Sequence, residues 1–305
     1  MKILLTGATG LIGARLVQAL SQNGFHQTVL SRRPRDSWPQ NVDSLVGNPA
    51  VPGPWLDALD ECDAVVHLAG ENIFAKRWTT TFMEEIHTSR VVSTALIAER
   101  MAMKPFRSDG TPRILLSASA IGFYGPGEEP KDESSPAGSD FMARVCVDWE
   151  AEADVARRAG VRVVHPRFGI VLDPEGGALP NMMRPFRMFV GGPVGNGKQW
   201  VSWIHRDDVT AALVYLLTHP VSGPFNLTAP RPVRNREFTS ILARVMHRPN
   251  WLPVPRLAIR LALGKVAEVA TSGQQAIPNA LSNAAFPFRY PELEGALRQL
   301  LAPAT

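Results

Sequence analysis

The nonapeptide SASAIGFYG (117–125) carries hydroxyl groups that could hold or protonate a substrate oxygen. Ser117 and Ser119 stand at the carboxyl end of an apolar run, where α/β sheets place their ligands, and Tyr124 follows in the same loop. General acid–base catalysis needs a titratable group within hydrogen-bond reach of the reacting oxygen. These hydroxyls are therefore candidates, although each serine could instead bond local backbone and the tyrosine could be a packing residue.

A second chemical feature is the loop TGATGLIG (6–13), which directly follows an apolar run and opens a helical pattern. Gly7 would permit a tight turn, Gly10 would let backbone N–H groups approach a pyrophosphate, and Gly13 would let the helix pack closely on the strand. The positive end of the helix would then face the anionic ligand. The loop predicts dinucleotide binding, and the alternative is a purely structural turn.

The segment LSRRPRD (30–36) indicates which dinucleotide is bound. An NAD site usually ends its second strand with an acidic residue that holds the ribose hydroxyls. Here the place holds Ser31, Arg32 and Arg33, and a guanidinium can clamp a 2′-phosphate with paired N–H donors. We predict NADP, although a solvated turn with surface arginines is possible. Asp36 lies beyond Pro34 and is a poor substitute for the missing acid.

Alternating elements must position these residues. Short runs rich in Val, Ile and Leu predict buried parallel strands at 2–7, 28–32, 63–70, 113–119 and 162–172. Helical patterns between them cover 11–22, about 80–103 and 147–159, with Asp148 near the start of the last and Gly160 after its end. The alternation predicts an α/β fold, a doubly wound parallel sheet of the Rossmann type.

The final third of the chain has a different character. Further helices are predicted at 234–248, 251–270 and 290–301, the last with Pro291 in its first turn. We predict an NAD(P)-binding Rossmann domain at 1–232, which includes an interlobe segment 173–203, and a smaller, mostly helical C-terminal substrate lobe at 233–305.

Three polar residues near the lobe junction have structural explanations. The apolar neighbours of His205 favour a structural histidine over a general base. Asp207 and Asp208 are expected to cap a helix, because carboxylates are favourable at its N-terminal dipole.

Composition narrows the class of protein. The chain of 305 residues is 45% hydrophobic and 20% charged, which is typical of a globular protein, and no apolar run reaches the length of a membrane span. No signal peptide is evident, so we expect a cytoplasmic protein without membrane partners. Cys62 and Cys146 are unclustered, which suggests neither disulfides nor a metal site. The net charge of +4 comes without a basic stripe, so nucleic acid is not an expected partner.

Several motifs resemble the extended short-chain dehydrogenase/reductase superfamily, namely TGATGLIG, HLAGEN, SASAIGFYG and WIHRDDV. Longer segments resemble its "epimerase family protein" branch, among them LAGENI…KRW, PFR…GGPVGNGKQWVSWIHRDDV and SGQQAIPNAL. The resemblance covers nearly the whole chain. It implies an NADP-binding domain followed by a C-terminal domain specific to the branch.

The resemblance also implies cofactor-binding residues, taken position by position. The phosphate segment matches Gly7, Gly10, Leu11, Ile12 and Gly13, and the adenosine-phosphate pair matches Ser31 and Arg32. Further matches are Leu68 and Ala69 beside the adenine and ribose, the polar residues Glu85 and Arg90, and the segment from Phe168 to Val171 beside the nicotinamide.

The catalytic pattern of the superfamily is incomplete. Its tyrosine and the lysine four residues later are replaced by Phe141 and Val145 within SDFMARVCVDWE (139–150). Ser119 matches the substrate-orienting serine, and Tyr124 is the nearest alternative acid/base, so we predict these two as catalytic residues. Phe141 and Val145 are expected to form an apolar wall beside the nicotinamide ribose.

Two functions remain open. One is an NADP-dependent oxidoreductase or epimerase of a small sugar-like or nucleotide-linked substrate. The other is a non-catalytic NADP-binding sensor or scaffold. Relatives often pair through a four-helix contact, which makes a homodimer possible.

Overall fold

A computed structural model describes residues 1–302, apart from residue 36 and residues 256, 258, 260, 262 and 263. The strands in chain order are β1 (Lys2–Thr6), β2 (His26–Ser31), β3 (Val42–Val46), β4 (Ala64–His67), β5 (Ile114–Ser117), β6 (Ser119–Ala120), β7 (Pro130–Lys131), β8 (Arg162–Phe168), β9 (Ile170–Asp173), β10 (Gly176–Gly177), β11 (Trp200–Val201), β12 (Trp203–His205), β13 (Gly223–Leu227), β14 (Val233–Arg234) and β15 (Gln275–Ala276).

The α-helices are α1 (Leu11–Gln22), α2 (Thr80–Met103), α3 (Phe141–Arg158), α4 (Leu179–Arg187), α5 (Arg206–Thr218), α6 (Asn235–Met246), α7 (Ala267–Thr271), α8 (Asn279–Asn283) and α9 (Leu293–Leu301). Short 3₁₀ helices cover Pro54–Glu61, Ile121–Tyr124 and Gly264–Val266.

The central sheet runs in the order β3-β2-β1-β4-β5-β8-β13, and every neighbouring pair in it is parallel. Successive strands are added on one side of β1 up to β3 and on its other side from β4 onward. At such a switch point a crevice is expected at the carboxyl ends of β1 and β4, where open α/β sheets bind their ligands. This confirms the prediction of a doubly wound parallel sheet.

Apolar side chains cover both faces of the sheet, which is why its strands read as continuous apolar runs. On one face α1 and α5 pack over residues such as Leu5 and Val66. On the other face α2 and α3 pack with the 3₁₀ helix Pro54–Glu61 over residues such as Leu4 and Val65.

Two strands of the sheet carry no strong sequence signal. In β3 the pattern VDSLV is largely exposed, because this strand lies at one edge. At the other edge, β13 begins with Gly223 and Pro224, which read as a loop. Pro is tolerated at a sheet edge because the position of its missing N–H can face the side that has no neighbouring strand.

Helices α1 and α2 match the predicted ranges, but α3 begins six residues before its predicted start at 147. The N-cap is Asp140, whose side chain accepts a hydrogen bond from Ala143 N at 2.8 Å. Asp148 instead lies inside the helix and pairs with His87 at 2.8 Å. The prediction that Asp148 marks the helix start was therefore wrong.

The predicted strand 162–172 is two strands, because the chain breaks between β8 and β9 at Gly169. A Cβ at Gly169 would lie 2.8 Å from Cγ2 of Thr228, so the close approach requires glycine. Beyond the break, β9 leaves the central sheet and pairs with β12 and β10.

A second core lies beside the sheet and is shared between distant parts of the chain. It includes Leu172, Met183 and Trp203 from before residue 232, together with Phe238 and Leu297 from after it. The predicted domain boundary stays a prediction, but the packing crosses it.

The predicted C-terminal helices correspond to α6 and α9, with Pro291 lying before α9 instead of in its first turn. The predicted helix 251–270 includes residues outside the described part. Within the described part, the chain is not helical from 251 to 255. Residues 257, 259 and 261 are helical, as are Gly264–Val266 and Ala267–Thr271.

Among the described residues, no helix is long and apolar enough to cross a membrane, and no cluster of three or more His, Cys, Asp or Glu side chains could hold a metal ion. Cys62 and Cys146 are buried free thiols.

Candidate functional site at the carboxyl end of the sheet

The loop between β1 and α1 requires glycine at its first position. Gly7 has φ of 73°, and its carbonyl accepts a hydrogen bond from Gly10 N at 3.0 Å. A Cβ on Gly7 would lie 2.6 Å from the carbonyl carbon of Leu68 and 2.8 Å from Ala69 N. The loop therefore turns directly against the segment that follows β4.

The other two glycines differ in what surrounds them. A Cβ on Gly13 would clash with the carbonyl of Gly7 and lie 2.8 Å from Cα of Ala8, so Gly13 holds α1 against the loop. A Cβ on Gly10 would meet only the Gly7 carbonyl at 3.2 Å. Gly10 therefore faces a side of the loop on which no other protein atom lies close.

The first turn of α1 is free to bind an anion. Gly10 is the N-cap, it provides no side-chain cap, and no acidic residue lies in the first turn. The backbone N–H groups there are the ones a helix leaves without intrahelical partners. Leu11 packs against Gly176 and Gly177, and Ile12 packs on the core, so both side chains anchor the helix while its N-terminus stays open.

Ser31 and Arg32 lie at the carboxyl end of β2, next to β1 in the sheet. The hydroxyl of Ser31 donates to the carbonyl of Arg33 at 2.5 Å, which shapes the turn. The Arg32 side chain is exposed and has no hydrogen-bond or ion-pair partner among the described residues. It is available for an anionic group placed beyond β2.

Leu68 and Ala69 are held at the end of β4 by a buried polar chain. Leu68 N donates to Thr6 O at 3.2 Å, and Ala69 N donates to the Thr6 hydroxyl at 3.3 Å. His67 joins the hydroxyls of Thr6 (Nδ1, 2.7 Å) and Ser93 (Nε2, 2.9 Å). Because the Ser93 hydroxyl donates to Ser89 O at 2.8 Å, the network fits a neutral His67 protonated on Nε2.

His67 is fully buried, and its surroundings keep it uncharged. Burial, with a smaller contribution from the Arg90 guanidinium, lowers the pKa of His67 to about 3. The floor below the glycine loop therefore stays neutral over the physiological pH range.

Arg90 and Glu85 occupy different surroundings on α2. Arg90 donates to the carbonyls of Glu71 (2.9 Å) and Ile86 (3.0 Å), so it lies against the chain that follows β4. Glu85 is exposed and pairs with Lys76 at 2.9 Å. Arg90 is thus placed beside the crevice, whereas the contacts of Glu85 are with a surface loop.

Phe168 and Val171 lie on either side of the break at Gly169. Phe168 ends β8 and pairs with Ala120 of β6 and Leu227 of β13. Val171 belongs to β9 and pairs with Ile204, outside the central sheet. The chain crosses the carboxyl end of the sheet between these two residues.

Ser119 is bound to an ion pair that the sequence did not reveal. Its hydroxyl donates to Glu150 Oε1 at 2.6 Å. Arg167 holds the same carboxylate with two bonds, from Nε at 2.8 Å and from Nη2 at 2.7 Å. Ser117 lies deeper, and its buried hydroxyl has no partner among the described residues. Ser119 is therefore the better oriented of the two serines.

Tyr124 is poorly placed for proton transfer. Its hydroxyl donates to Asn226 Oδ1 at 2.7 Å and accepts from Arg167 Nη1 at 3.0 Å. Burial raises the pKa of Tyr124 to about 12. A group that ionises so far above neutral pH is a weak acid/base catalyst, and this geometry argues against that role for Tyr124.

Phe141 and Val145 occupy apolar surroundings. The Phe141 ring packs edge-on against Trp78 with centroids 5.3 Å apart, and Val145 is buried. Neither residue can supply a proton or a charge. An apolar wall is the arrangement they support.

The polar residues at the start of α5 have structural partners. His205 is the N-cap of α5, accepting from Asp207 N at 3.0 Å, and its Nε2 bonds Gln299 at 2.9 Å. Asp208 accepts from Arg289 N and Tyr290 N, both at 2.9 Å. The structural interpretation of His205 is confirmed. Asp207 and Asp208 lie in the first turn of α5, where the helix dipole favours carboxylates as predicted, but the side chain that caps the helix is that of His205.

Sequence reasoning missed the residues that build the floor of the site. These are Thr6, His67, Ser93, Glu150, Arg167 and Asn226. Three of them could have been found from the sequence. Thr6, His67 and Arg167 are polar residues near the carboxyl ends of segments that were predicted as buried strands. Glu150 and Asn226 carry no such local signal.

Comparison with family models places residues 3–228 in the NAD dependent epimerase/dehydratase family. Residues 254–300 match a domain of unknown function, DUF1731.

Individual proteins match over almost the full length. The chain is 37% identical to "Epimerase family protein YfhF" of Bacillus subtilis, covering 99% of this chain and 98% of that protein. It is 39% identical to the chloroplastic "Epimerase family protein SDR39U1 homolog" of Arabidopsis thaliana, covering 99% and 87%. A crystal structure of human SDR39U1 (isoform 2) with NADPH superposes with a TM-score of 0.84 at 31% identity, covering 98% of this chain and 99% of the human one.

Proposed function

The chain belongs to the NAD dependent epimerase/dehydratase family, and from that premise we propose that it binds NADP(H) and acts on a small sugar-like or nucleotide-linked substrate as an oxidoreductase or epimerase. The observation that carries the cofactor proposal is the open, uncapped first turn of α1 beside the exposed Arg32. The crystal structure of human SDR39U1 with NADPH supports the same cofactor.

The residues present fit a dinucleotide. A pyrophosphate would lie at the first turn of α1, where Gly10 leaves room for it and the N–H groups are unpaired. Leu68 and Ala69 would bound the adenosine, and Arg32 with Ser31 would bind a 2′-phosphate. When bound, the cofactor supplies or accepts a hydride at a carbon of the substrate.

The preference for NADPH is tested by calorimetry on the wild type and Arg32→Ala. We expect the variant to bind NADPH about 10- to 100-fold more weakly, the equivalent of one charge-assisted contact of roughly 1.5–3 kcal/mol, and NADH about as well as before. Arg35→Ala is the matched control, because Arg35 stacks on Trp38 at 4.8 Å and should not contribute. Equal affinity of the wild type for NADH and NADPH would refute the preference.

For the chemical step we propose that Ser119 orients the substrate oxygen. Its hydroxyl is fixed by Glu150, and Arg167 keeps that carboxylate from turning away. Donation to a substrate would require the hydroxyl to rotate from Glu150. Tyr124 we place as a positioning residue, which holds Arg167 and Asn226.

Steady-state turnover with NADPH over a panel of aldehydes, ketones and sugar nucleotides tests this division of roles. Ser119→Ala should lose about 100-fold or more in kcat, as expected when a positioned donor is removed. Tyr124→Phe should keep most of its turnover and lose about 1 kcal/mol of stability with its hydrogen bonds. Abolished turnover in a folded Tyr124→Phe protein would return the catalytic role to that hydroxyl.

The second candidate function is a non-catalytic NADP-binding sensor or scaffold. It is favoured by the apolar pair Phe141 and Val145 and by the raised pKa of Tyr124, because none of these three side chains can transfer a proton near neutral pH. It predicts NADPH binding without turnover on the same panel. Reproducible oxidation of NADPH that depends on Ser119 would exclude it.

A further inference from the structure

An exposed apolar patch lies on two adjacent loops of the second core. It consists of Met188, Phe189, Val190, Trp251 and Leu252, and is called the 188/251 patch below. Met188, Phe189 and Trp251 expose 64%, 55% and 67% of their surfaces. Large side chains exposed together in this way usually mark a contact site.

The two loops form one surface because hydrogen bonds join them. The backbone N–H groups of Trp251 and Leu252 both donate to Gly191 O, at 3.1 and 3.2 Å. The indole N–H of Trp251 donates to Phe189 O at 3.0 Å. The polar groups of the patch are thus used internally, and what faces outward is apolar.

Phe189 has a left-handed backbone conformation, which is unfavourable for a residue with a bulky side chain. Phe189 has φ of 62° and follows α4, where Phe189 N donates to Phe186 O and Val190 N donates to Pro185 O, both at 3.0 Å. This is the helix-ending pattern in which glycine normally occupies the left-handed position. A bulky residue there is strained, and such strain concentrates at functional sites.

Positive charge surrounds the patch. Arg184 and Arg187 are exposed in the last turn of α4, and the guanidinium of Arg248 lies 4.6 Å from the centroid of the Phe189 ring. The two stretches that carry the patch, 176–206 and 238–267, contain nine Lys or Arg residues and no Asp or Glu. Two of these nine are paired with carboxylates from other parts of the chain, Arg206 with Asp173 at 3.0 Å and Arg244 with Glu294 at 2.7 Å. The positive charge next to the patch is therefore that of Arg184, Arg187 and Arg248.

We propose that the 188/251 patch is a peripheral contact surface for anionic lipid membranes. Apolar side chains that include Trp and Phe, bordered by arginines, combine the two signals that hold a protein at a membrane surface. A second copy of this chain would bring like charges together. A protein partner would usually find hydrogen-bonding groups at the contact, and here those groups are paired within the loops. Such contact needs no membrane-spanning helix.

Cosedimentation with lipid vesicles tests the proposal. The full chain should bind vesicles of phosphatidylcholine mixed with phosphatidylglycerol, bind phosphatidylcholine alone much more weakly, and be released by salt. Trp251→Ala should weaken binding to the mixed vesicles. Arg184→Gln combined with Arg187→Gln should weaken it by about fivefold for each charge removed.

Phe189→Gly is the variant that separates contact from folding. It should raise Tm, because glycine adopts the left-handed conformation without strain, and yet weaken binding to the mixed vesicles. Phe106→Ala is the matched control, since Phe106 is 52% exposed but lies in the loop before β5, outside the two loops of the patch, and the variant should bind as the wild type does.

Several outcomes would overturn the proposal. They are the absence of binding to either kind of vesicle, equal binding to both kinds, and unchanged binding in Phe189→Gly and Trp251→Ala. A monomer–dimer equilibrium in sedimentation that Trp251→Ala abolishes, without lipid binding, would assign the patch to self-association instead.

Discussion

His67 shows how a single buried side chain supports a binding loop from below. Burial keeps its ring uncharged, and both ring nitrogens form hydrogen bonds, one with the Thr6 hydroxyl and one with the Ser93 hydroxyl. The Thr6 hydroxyl in turn accepts from Ala69 N, so the ring helps to fix the strand end against which Gly7 turns. Its role is to position the loop without touching a ligand.

The lowered pKa of His67 makes stability depend on pH. The unfolded chain binds a proton near pH 6.5, whereas the folded chain does so near pH 3, so the stabilisation is complete above 6.5 and is lost as the pH falls. Between those values the free energy of unfolding should drop by up to about 1.4 kcal/mol per pH unit from this group. Urea titrations at several pH values, compared with His67→Gln, measure it. Identical pH dependence in the variant would show that His67 is not the responsible group.

The loop glycines should separate folding from binding. Gly13→Ala would push α1 off the loop and destabilise the fold by about 1–3 kcal/mol through overpacking. Gly10→Ala should fold nearly normally, because its only close neighbour is the Gly7 carbonyl at 3.2 Å, but should bind NADPH poorly. Thermal melts paired with calorimetry distinguish the two effects. Normal NADPH affinity in Gly10→Ala would mean that no phosphate approaches that side of the loop.

At the scale of elements, the sequence predicted those helices and strands whose formation depends on the residues within them. The buried strands β1, β4, β5 and β8 read as apolar runs, and α1 and α2 were placed by their patterns. The edge strands β3 and β13 were missed because one is mostly exposed and the other opens with Gly-Pro. The start of α3 was missed because two aspartates compete for it, and only one has the cap geometry.

The two aspartates of α3 should therefore differ on substitution. Asp140→Ala removes the bond to Ala143 N and should cost about 1 kcal/mol. Asp148→Ala removes an exposed pair with His87 and should cost no more than about 0.5 kcal/mol. Chemical denaturation of both variants measures the difference. A larger loss in Asp148→Ala would place the helix start near 147 after all.

At the scale of the whole molecule, the segments before and after residue 232 pack into one shared interior. Leu172, Phe186 and Trp203 are almost fully buried, and their neighbours come from α6 and α9. Asp208 and His205 add polar ties to the same C-terminal segment, the ring of His205 lying 3.8 Å from that of Tyr290. The Rossmann part therefore lacks a complete surface of its own on this side.

A fragment of residues 1–232 should consequently fail to unfold cooperatively. It would expose the apolar side chains that α6 and α9 now cover, a loss larger than the marginal stability of most domains. Circular dichroism melts of the fragment and of the full chain provide the comparison. A sharp transition in the fragment, with NADPH binding intact, would establish residues 1–232 as an independent domain.

The residues of the site also fall into two groups, those that are neighbours in the sequence and those that are distant in it. The glycine loop is contiguous, so its spacing alone predicted its position. The hydrogen bonds within the cluster of Ser119, Glu150, Arg167, Tyr124 and Asn226 join residues up to 102 positions apart, and single-sequence patterns carry no information about such pairings. That is why the sequence identified Ser119 and Tyr124, which lie close together in one loop, but not Glu150, Arg167 and Asn226, which bind them.

The surroundings of Phe141 and Val145 also determine how easily a tyrosine and a lysine could be placed at these two positions. Val145 is 1% exposed, so a lysine there would have to carry its charge into a closed interior, and a tyrosine at 141 would stand alone against Trp78. Either replacement arriving first would bring a cost and no activity. Introducing the tyrosine or the lysine alone is therefore expected to cost stability without creating a proton-transferring pair, so a new proton donor elsewhere in the crevice would be the less costly route to such chemistry.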